Sequence, residues 1–512
     1  MKKYDVIVIG AGNGGLSAGA YASKEGLKTV VFEKHNLPGG SASSFRRGRF
    51  EFEPSLHEMA QVGSEKNPGA TRKVFDILGT DFKFHHENTT YRVISTDPNE
   101  KYDVRLPCGI ENFCKKVDEE VPGSYESVKR FFDYQEKSMR IVNNLPHIKF
   151  KDIPDVMTLL RMVSYSTEKV MDLLKIPKKA QHIISTYWPY VGESTDTMCA
   201  FMMGMMDYIY VVDGAGMPKK TSHEISMSIE KVIRQNGGDI FYNCPVTKIL
   251  VKDGQAYGVL AGGKEYYANN IICNCYPNDI YGKMIDKKEV PEIEVKKVNA
   301  RQIALSFVTV YLGLNKSAEE LGVKDYTVFL QQSASPKEQF EQSHCLGGKG
   351  WVIVNNMNVT LPDFSPKGTC VMSITTSVYG DDWAKVKAQD YRKTKYKIAE
   401  EMIDYYEKTT GIKIKPYIEE IEVASPVTFS RYIGSPNGTP YGYQTSNWDG
   451  VFVRTVFKHF EKPIKGLHYV GAYTEGSLGY NQTYKSGINA IEEIKKEAQK
   501  DEKELFKIPK SF

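Results

Sequence analysis

The chain has 512 residues, 41% of them hydrophobic and 25% charged, with a formal net charge of +4. That length is too great for one hydrophobic core and that composition too apolar for a disordered chain, so two or more globular domains are expected. So small a net charge, with no arginine-rich stripe carrying interleaved aromatics, argues against a nucleic-acid partner and leaves a weak preference for anionic membrane surfaces.

Tyr4 to Ile9 is a β-branched run of the kind buried in a parallel sheet, and Gly10 follows at once. Leu16 to Lys24 predicts a helix, and Thr29 to Phe32 a second strand ending in Glu33. Gly10-x-Gly12-x-x-Gly15 thus lies between strand and helix, the context that gives this pattern meaning. Gly10 permits the tight turn, Gly12 lets backbone approach a pyrophosphate, and Gly15 lets helix and strand pack closely. The pyrophosphate belongs at the helix N-terminus, where free N–H groups favour negative charge. Glu33, eighteen residues past Gly15, is placed to accept ribose hydroxyls, with Lys34 beside it. Pro38-Gly39-Gly40-Ser41 supplies a further glycine turn for a cofactor longer than NAD.

Residues 90–213 are rich in helical patterns, among them an amphipathic stretch from Lys149 to Lys179. In that stretch Val156, Met157, Leu159, Leu160, Met162 and Val163 are flanked by basic residues, as in a helix lying on a membrane surface or packed against a core. Tyr187, Trp188, Tyr190, Phe201, Met202, Met203, Met205, Met206, Tyr208 and Tyr210 read either as plain core or as the wall of a long apolar cavity. Gly237 to Ile240 opens a strand, and Pro245 to Val251, Ala256 to Leu260 and Asn270 to Ile272 predict a small meander. Strands are expected at Ile303 to Leu312 and Cys370 to Ser377, with a long helix from Ala388 to Lys408. Gly466 to Gly471 is a late strand, and a helix is expected from Ser486 to about Lys500.

These elements predict an α/β protein in which a discontinuous Rossmann-like FAD-binding domain (1–90, 214–290 and 460–500) carries an inserted α+β substrate domain. The insert is 91–213 and 291–459, a mixture of sheet and helix, and 501–512 is a charged C-terminal tail. The eight cysteines form no C-x-x-C pair and have no His cluster at zinc spacing, so no metal is expected and reduced thiols in a cytoplasmic protein are. The start runs straight into a strand without a secretory signal, and the apolar stretch Cys199 to Val212 is too short to span a bilayer. Peripheral contact with a membrane remains open.

The N-terminal unit with Gly39-Gly40 and Phe50-Glu51-Phe52-Glu53 resembles the opening of the phytoene desaturase, carotenoid isomerase and retinol saturase superfamily. Gly237-Gly238 with Val246 is similar to that family's strand pair, whose valine packs by the adenine. Pro426-x-Thr428, Arg431 and Gly438-x-x-Tyr441-Gly442 match its substrate-domain signature, and Gly466 to Gly471 with Ser486-Gly487 its closing flavin motif. The resemblance spans nearly the whole chain and implies non-covalent FAD and a polyene, retinoid or similar unsaturated lipid. It also implies cofactor contacts at Gly471, Ala472, Asn481 and Ser486. The chain departs from the pattern at Ser41, where desaturases carry Arg, at Glu53 in place of Asp, and at Ala472, where an Asp commonly holds the ribityl chain.

Hydride chemistry on such a molecule needs a flavin and at most one acid or base. Candidates are His57 and Glu58, which follow the turn Pro54-Ser55-Leu56, with Arg431 and Tyr480. No second nucleotide fingerprint appears, so an external electron carrier is expected unless electrons stay on the flavin. Desaturation or saturation of a carbon–carbon bond is the first reading and isomerisation without net redox the second. A prenyl-lipid carrier like the Rab GDP-dissociation inhibitors is the third, although those proteins have lost fingerprint glycines. An amine oxidase is the fourth and lacks a placed aromatic pair.

Overall fold

The computed structural model describes residues 3–87, 89–445, 450, 464–474 and 479–505. The run Val6–Ile9 is the central strand of a five-stranded parallel sheet. The sheet order is Asp239–Phe241, Thr29–Phe32, Val6–Ile9, Asn270–Cys273, Leu467–Tyr469. Numbered along the chain this is 3-2-1-4-5, the doubly wound order, and its switch point lies between Val6–Ile9 and Asn270–Cys273. Every residue of the central strand is buried because both faces are covered. Val6, Val8 and Val31 face the helices Asn13–Lys24, His223–Gln235 and Gly479–Leu505, whereas Ile7, Ile9 and Val30 face an antiparallel three-stranded meander.

Two expectations are corrected here. The third strand of the meander is Lys264–Tyr267, and Asn270–Cys273 instead joins the parallel sheet beside the chain's first strand. The last helix is Gly479–Leu505, not a helix from Ser486 to Lys500. Its first turns pack on Asn13–Lys24, where Ser17 Oγ donates to the Tyr484 carbonyl at 2.6 Å, and this contact carries the helix back past Ser486. The helix also takes in residues 501–505 of the predicted tail; 506–512, like 460–463, lie outside the described residues.

A second, seven-stranded sheet has the order Ile418–Ala424, Ser306–Leu314, Cys370–Val378, Trp351–Asn356, Thr327–Gln331, Thr89–Ser95, Tyr102–Pro107. Two of these strands, Thr89–Ser95 and Tyr102–Pro107, fall in the stretch read as helical. One face packs on Ala388–Thr410 through Ile398, Met402 and Tyr406. The other carries Tyr91, Phe329 and Trp351 into a core made with Phe113, Phe132, Tyr187 and Trp188 of the helical segment.

The helix Ile153–Ser164 splits the predicted apolar strip in two: Leu159 and Met162 are buried, while Met157 and Leu160 are exposed. Of the basic residues around it, Lys178 pairs with Glu168 and Asp172, and Lys179 with Glu120. Those two belong to the protein's own ion pairs.

Candidate active site

The carboxyl ends of the parallel strands open into one cavity of about 1870 Å³. That is roughly twice the upper end of the ~300–1000 Å³ usual for a single small ligand. Its first half lies at the switch point. Gly10 has φ +92°, which lets the strand turn into the helix, and a Cβ on Gly15 would collide with the Gly10 carbonyl. Gly39, at φ +112°, donates its N–H to the Ala11 carbonyl at 2.7 Å, so the second glycine turn rests on the first. The Glu33 carboxylate accepts from the Ala11 N–H at 2.7 Å and the His35 N–H at 2.8 Å. Each oxygen keeps a lone pair for the cavity that Glu33 lines.

Sequence reasoning missed Asn274. It follows the fourth strand, and its backbone N–H donates to the Ile9 carbonyl at 2.8 Å. Its amide wedges between the glycine loop and Gly471, within 2.6 Å of where a Cβ on Gly12 would stand. Only the spatial strand order brings Asn274 to the switch point, and nothing in its local sequence signals the role.

Of the predicted site residues, all but Gly15 and Ser486 line the cavity. Gly15 faces backbone, in keeping with its packing role. Ser486 stands two turns inside the last helix, where its Oγ accepts from the Gly471 N–H at 2.9 Å. It therefore supports the Gly471 loop, and the helix end that faces the cavity is Gly479 to Thr483. Lys34, Gly40, Ser41, Val246 and Ala472 are on the wall. Tyr480 donates to the Ser41 carbonyl at 3.1 Å and lies 2.9 Å from Ser55 Oγ. Asn481 Nδ2 donates to Gln61 Oε1 at 2.5 Å, and Gln61 holds a left-handed φ of +57°.

The other half of the cavity is apolar and reaches Met139, Phe201, Met205, Met206 and Ile209. Tyr190, Met202 and Tyr210 also line it, but Tyr187, Trp188 and Met203 are core. Where the halves meet stand His57 and Glu58. Glu53 fixes this corner: it is buried and accepts from the backbone N–H groups of Ser55, Leu56 and Ser222 and from Ser222 Oγ. Burial nevertheless pushes its carboxyl up to about 7.

Glu58 accepts from the Tyr187 and Tyr190 hydroxyls, both at 3.2 Å, and from Thr327 Oγ1 at 3.2 Å. Burial, with the nearby buried Glu87 carboxyl, pushes Glu58 up to about 8, so it is a neutral acid at pH 7. His57 moves the other way. Burial lowers it to about 4, and its Nε2 lies 3.4 Å from Thr375 Oγ1. It is an uncharged imidazole at neutral pH. Arg431 lines the same cavity. It sits on the helix Pro426–Ile433, whose end stands over Lys34, and Tyr432 meets His35 edge-on at 6.2 Å. That end of the cavity is lined by Lys34 and His35.

The wall fits a long dinucleotide. A Cβ on Gly14 would lie 2.7 Å from the Gly471 nitrogen, so the loop leaves backbone alone facing the cavity. Asn13 Oδ1 and Asn481 Oδ1 are buried without a partner among the described residues. Both residues line the cavity.

A family model described as NAD(P)-binding Rossmann-like domain matches residues 8–76. Chloroplastic prolycopene isomerase 2 of an Oncidium hybrid cultivar is 24% identical over 469 residues, covering 86% of this chain and 75% of that protein. The all-trans-retinol 13,14-reductase of Danio rerio is 24% identical over 510 residues, covering 91% of this chain and 82% of that protein. Among solved structures, an oxidoreductase from Methanosarcina mazei superposes with a TM-score of 0.64 at 16% identity, covering 96% of this chain and 100% of that one. The two relatives are consistent with the superfamily that the motifs resemble.

Proposed function

We propose that this chain is an FAD-dependent oxidoreductase that either adds hydrogen across a carbon–carbon double bond or forms one by removing hydrogen from a single bond, in a long polyene such as a carotenoid or retinoid. The observation that carries this reading is the single cavity, which joins the glycine loop at the switch point to an arm lined by Met, Phe and Tyr. The likeness to a prolycopene isomerase and a retinol reductase supports the polyene class. The isomerase relatives also favour a second reading, cis–trans isomerisation without net redox.

Gly10, Gly12, Gly14 and the start of the helix Asn13–Lys24 would hold the pyrophosphate, with Glu33 on the adenosine ribose and Val246 by the adenine. Asn13 and Asn481 would supply polar contacts that Ala472 does not. Bound FAD supplies a ring that accepts or donates hydride. Glu58, facing the cavity as a neutral acid, holds the proton that balances the hydride on the neighbouring carbon. The Tyr187 and Tyr190 hydroxyls and Thr327 Oγ1 keep that carboxyl in place. The substrate arm excludes water from this exchange. An external carrier completes the electron balance in the redox reading. No helix among the described residues is long and apolar enough to cross a membrane.

No His or Cys stands inside either glycine turn, so FAD should be held without a covalent bond. Denaturation should release a yellow chromophore that mass spectrometry identifies as intact FAD. A colourless protein that FAD cannot reconstitute would sink the enzyme reading and revive the lipid-carrier one. The holoenzyme, reduced with dithionite, should then convert all-trans-retinol or prolycopene. A product two hydrogens heavier indicates reduction, and one of unchanged mass indicates isomerisation.

Arg431 tests the division of the cavity. Arg431→Ala should weaken FAD binding by about twofold to fivefold, the scale of one exposed charge contact, and leave turnover of FAD-saturated enzyme nearly unchanged. Fluorescence quenching on FAD titration gives the first quantity. Unaltered affinity with lost turnover would return Arg431 to the chemistry.

A further inference from the structure

We propose that the surface carrying Leu145, Ile148, Phe150, Ile153, Met157 and Leu160 docks on an anionic lipid bilayer and that the apolar arm of the cavity ends beside it. The second half of this inference rests on the polyene reading; the docking itself does not.

A single exposed apolar side chain needs no explanation, but six within sixteen residues do. Two short turns, Leu145–His147 and Phe150–Asp152, lead into the helix Ile153–Ser164. Phe150 is 90% exposed, Leu145 51%, Met157 48% and Leu160 47%, so none of them packs on the protein's own core. The helix already has its core face in Thr158, Leu159 and Met162, so its exposed apolar residues form a second face. A core-packing amphipathic helix has no use for one.

The charges around this face are arranged by sign. Lys149, Lys151 and Arg161 are exposed beside the apolar residues. The two nearby acids are engaged within the protein: Asp152 accepts from the Lys149 backbone N–H at 2.9 Å, and Asp155 pairs with Arg140. Apolar side chains interleaved with exposed cations match an anionic headgroup layer over an acyl boundary. The same cations count against a second copy of this chain, because a two-fold contact would set Lys149, Lys151 and Arg161 against their own kind.

The cavity reaches this surface through the chain itself. Met139, Val142 and Asn143, at the end of the helix Tyr125–Asn143, line the cavity just before Leu145 begins the exposed stretch. Phe201, Met205 and Ile209 line the same arm on the helix Ala200–Val211, which packs against Ile153–Ser164. A water-insoluble ligand leaving a bilayer under this face would enter the arm without crossing water.

The experiment is flotation of the full-length holoprotein with phosphatidylcholine vesicles with and without phosphatidylglycerol. The protein should rise with the anionic vesicles, stay down with pure phosphatidylcholine and be released by high salt, which shortens the screening length from ~10 Å at 0.1 M to ~3 Å at 1 M. Phe150→Glu with Leu160→Glu should cut the bound fraction by about tenfold or more, as two apolar anchors become charged. Lys149→Glu with Lys151→Glu should do the same. Both pairs are exposed, so flavin content and circular dichroism should match the parent. Unchanged flotation of either variant, or a parent that fails to float at low salt, would overturn the proposal. So would a parent dimer, seen by sedimentation without vesicles, that Phe150→Glu with Leu160→Glu turns into a monomer. Flotation without turnover of prolycopene or retinol would strike the polyene reading alone, and turnover of micellar retinol without flotation would strike the docking alone.

Discussion

Gly12→Val is expected to purify as a folded, colourless protein. Gly12 lies in extended backbone at φ −76° and ψ −178°, a conformation valine adopts readily, so the fold should persist. Its first added carbon would stand 2.6 Å from the Asn274 amide nitrogen, the movable end of a side chain. The rest of the valine would fill the space in which backbone N–H groups of the helix start meet the pyrophosphate. Losing two or more hydrogen bonds to a charged group costs about 3–4 kcal/mol, or a factor of about 10² to 10³ in FAD affinity. Gly15→Val should behave differently, because its Cβ would meet the Gly10 backbone carbonyl and neither can move. That variant should be insoluble or melt early. The pair is read by the 450 nm absorbance per protein and by thermal melts. Full flavin occupancy in Gly12→Val would mean that the fingerprint is only structural.

Glu58→Gln should lower turnover by about 10² to 10⁴, the usual worth of a positioned acid or base, while FAD content stays normal. The pH profile reports the direction of the reaction. With a carboxyl at about 8, a step that needs a proton from Glu58 runs fully below that pH and fades above it. A step that needs the carboxylate as base rises through the same range. Gln should abolish either inflection.

Stability supplies a readout independent of substrate. The folded value of about 8 lies above the ordinary 4.5, so between those values the unfolded chain has released a proton that the folded chain keeps. Folding therefore weakens as pH rises through that window, by up to about 1.4 kcal/mol per pH unit for one such group, and levels off beyond it. Glu53, pushed up to about 7, contributes with the same sign, so the quantity to measure is the difference between parent and variant melts. Parallel melting curves across pH 5–8 would show that Glu58 is already ionised, and its assignment as proton holder would fail.

The dinucleotide fold was legible because its signals are local. A β-branched run, a glycine at the turn, small residues on the helix and an acid at the end of the next strand each act through neighbours a few residues away. Backbone sterics and pairing geometry translate such a pattern directly into strand, turn and helix. The same reasoning put Gly10, Gly12 and Glu33 on the cavity wall, since they stand just past the ends of the first two strands, whereas Gly471, Ala472 and Asn481 were implied only by the family resemblance.

What tertiary structure decided depends on partners distant in the chain. Asn274 reaches the glycine loop only because the fourth strand lies beside the first. The last helix begins at Gly479 because its first turns find a surface on Asn13–Lys24. Tyr187 and Tyr190 are one helical turn apart, yet only Tyr190 lines the cavity. Leu159 and Leu160 are adjacent, yet one is buried and the other exposed. Glu58 is a neutral acid because Tyr187, Thr327 and Glu87 close around it, and Thr327 is 269 residues away. Burial is a property of all the side chains that surround a group. Desolvation, which sets the charge of His57, Glu53 and Glu58, therefore follows from the assembled fold and has no signature in the order of residues.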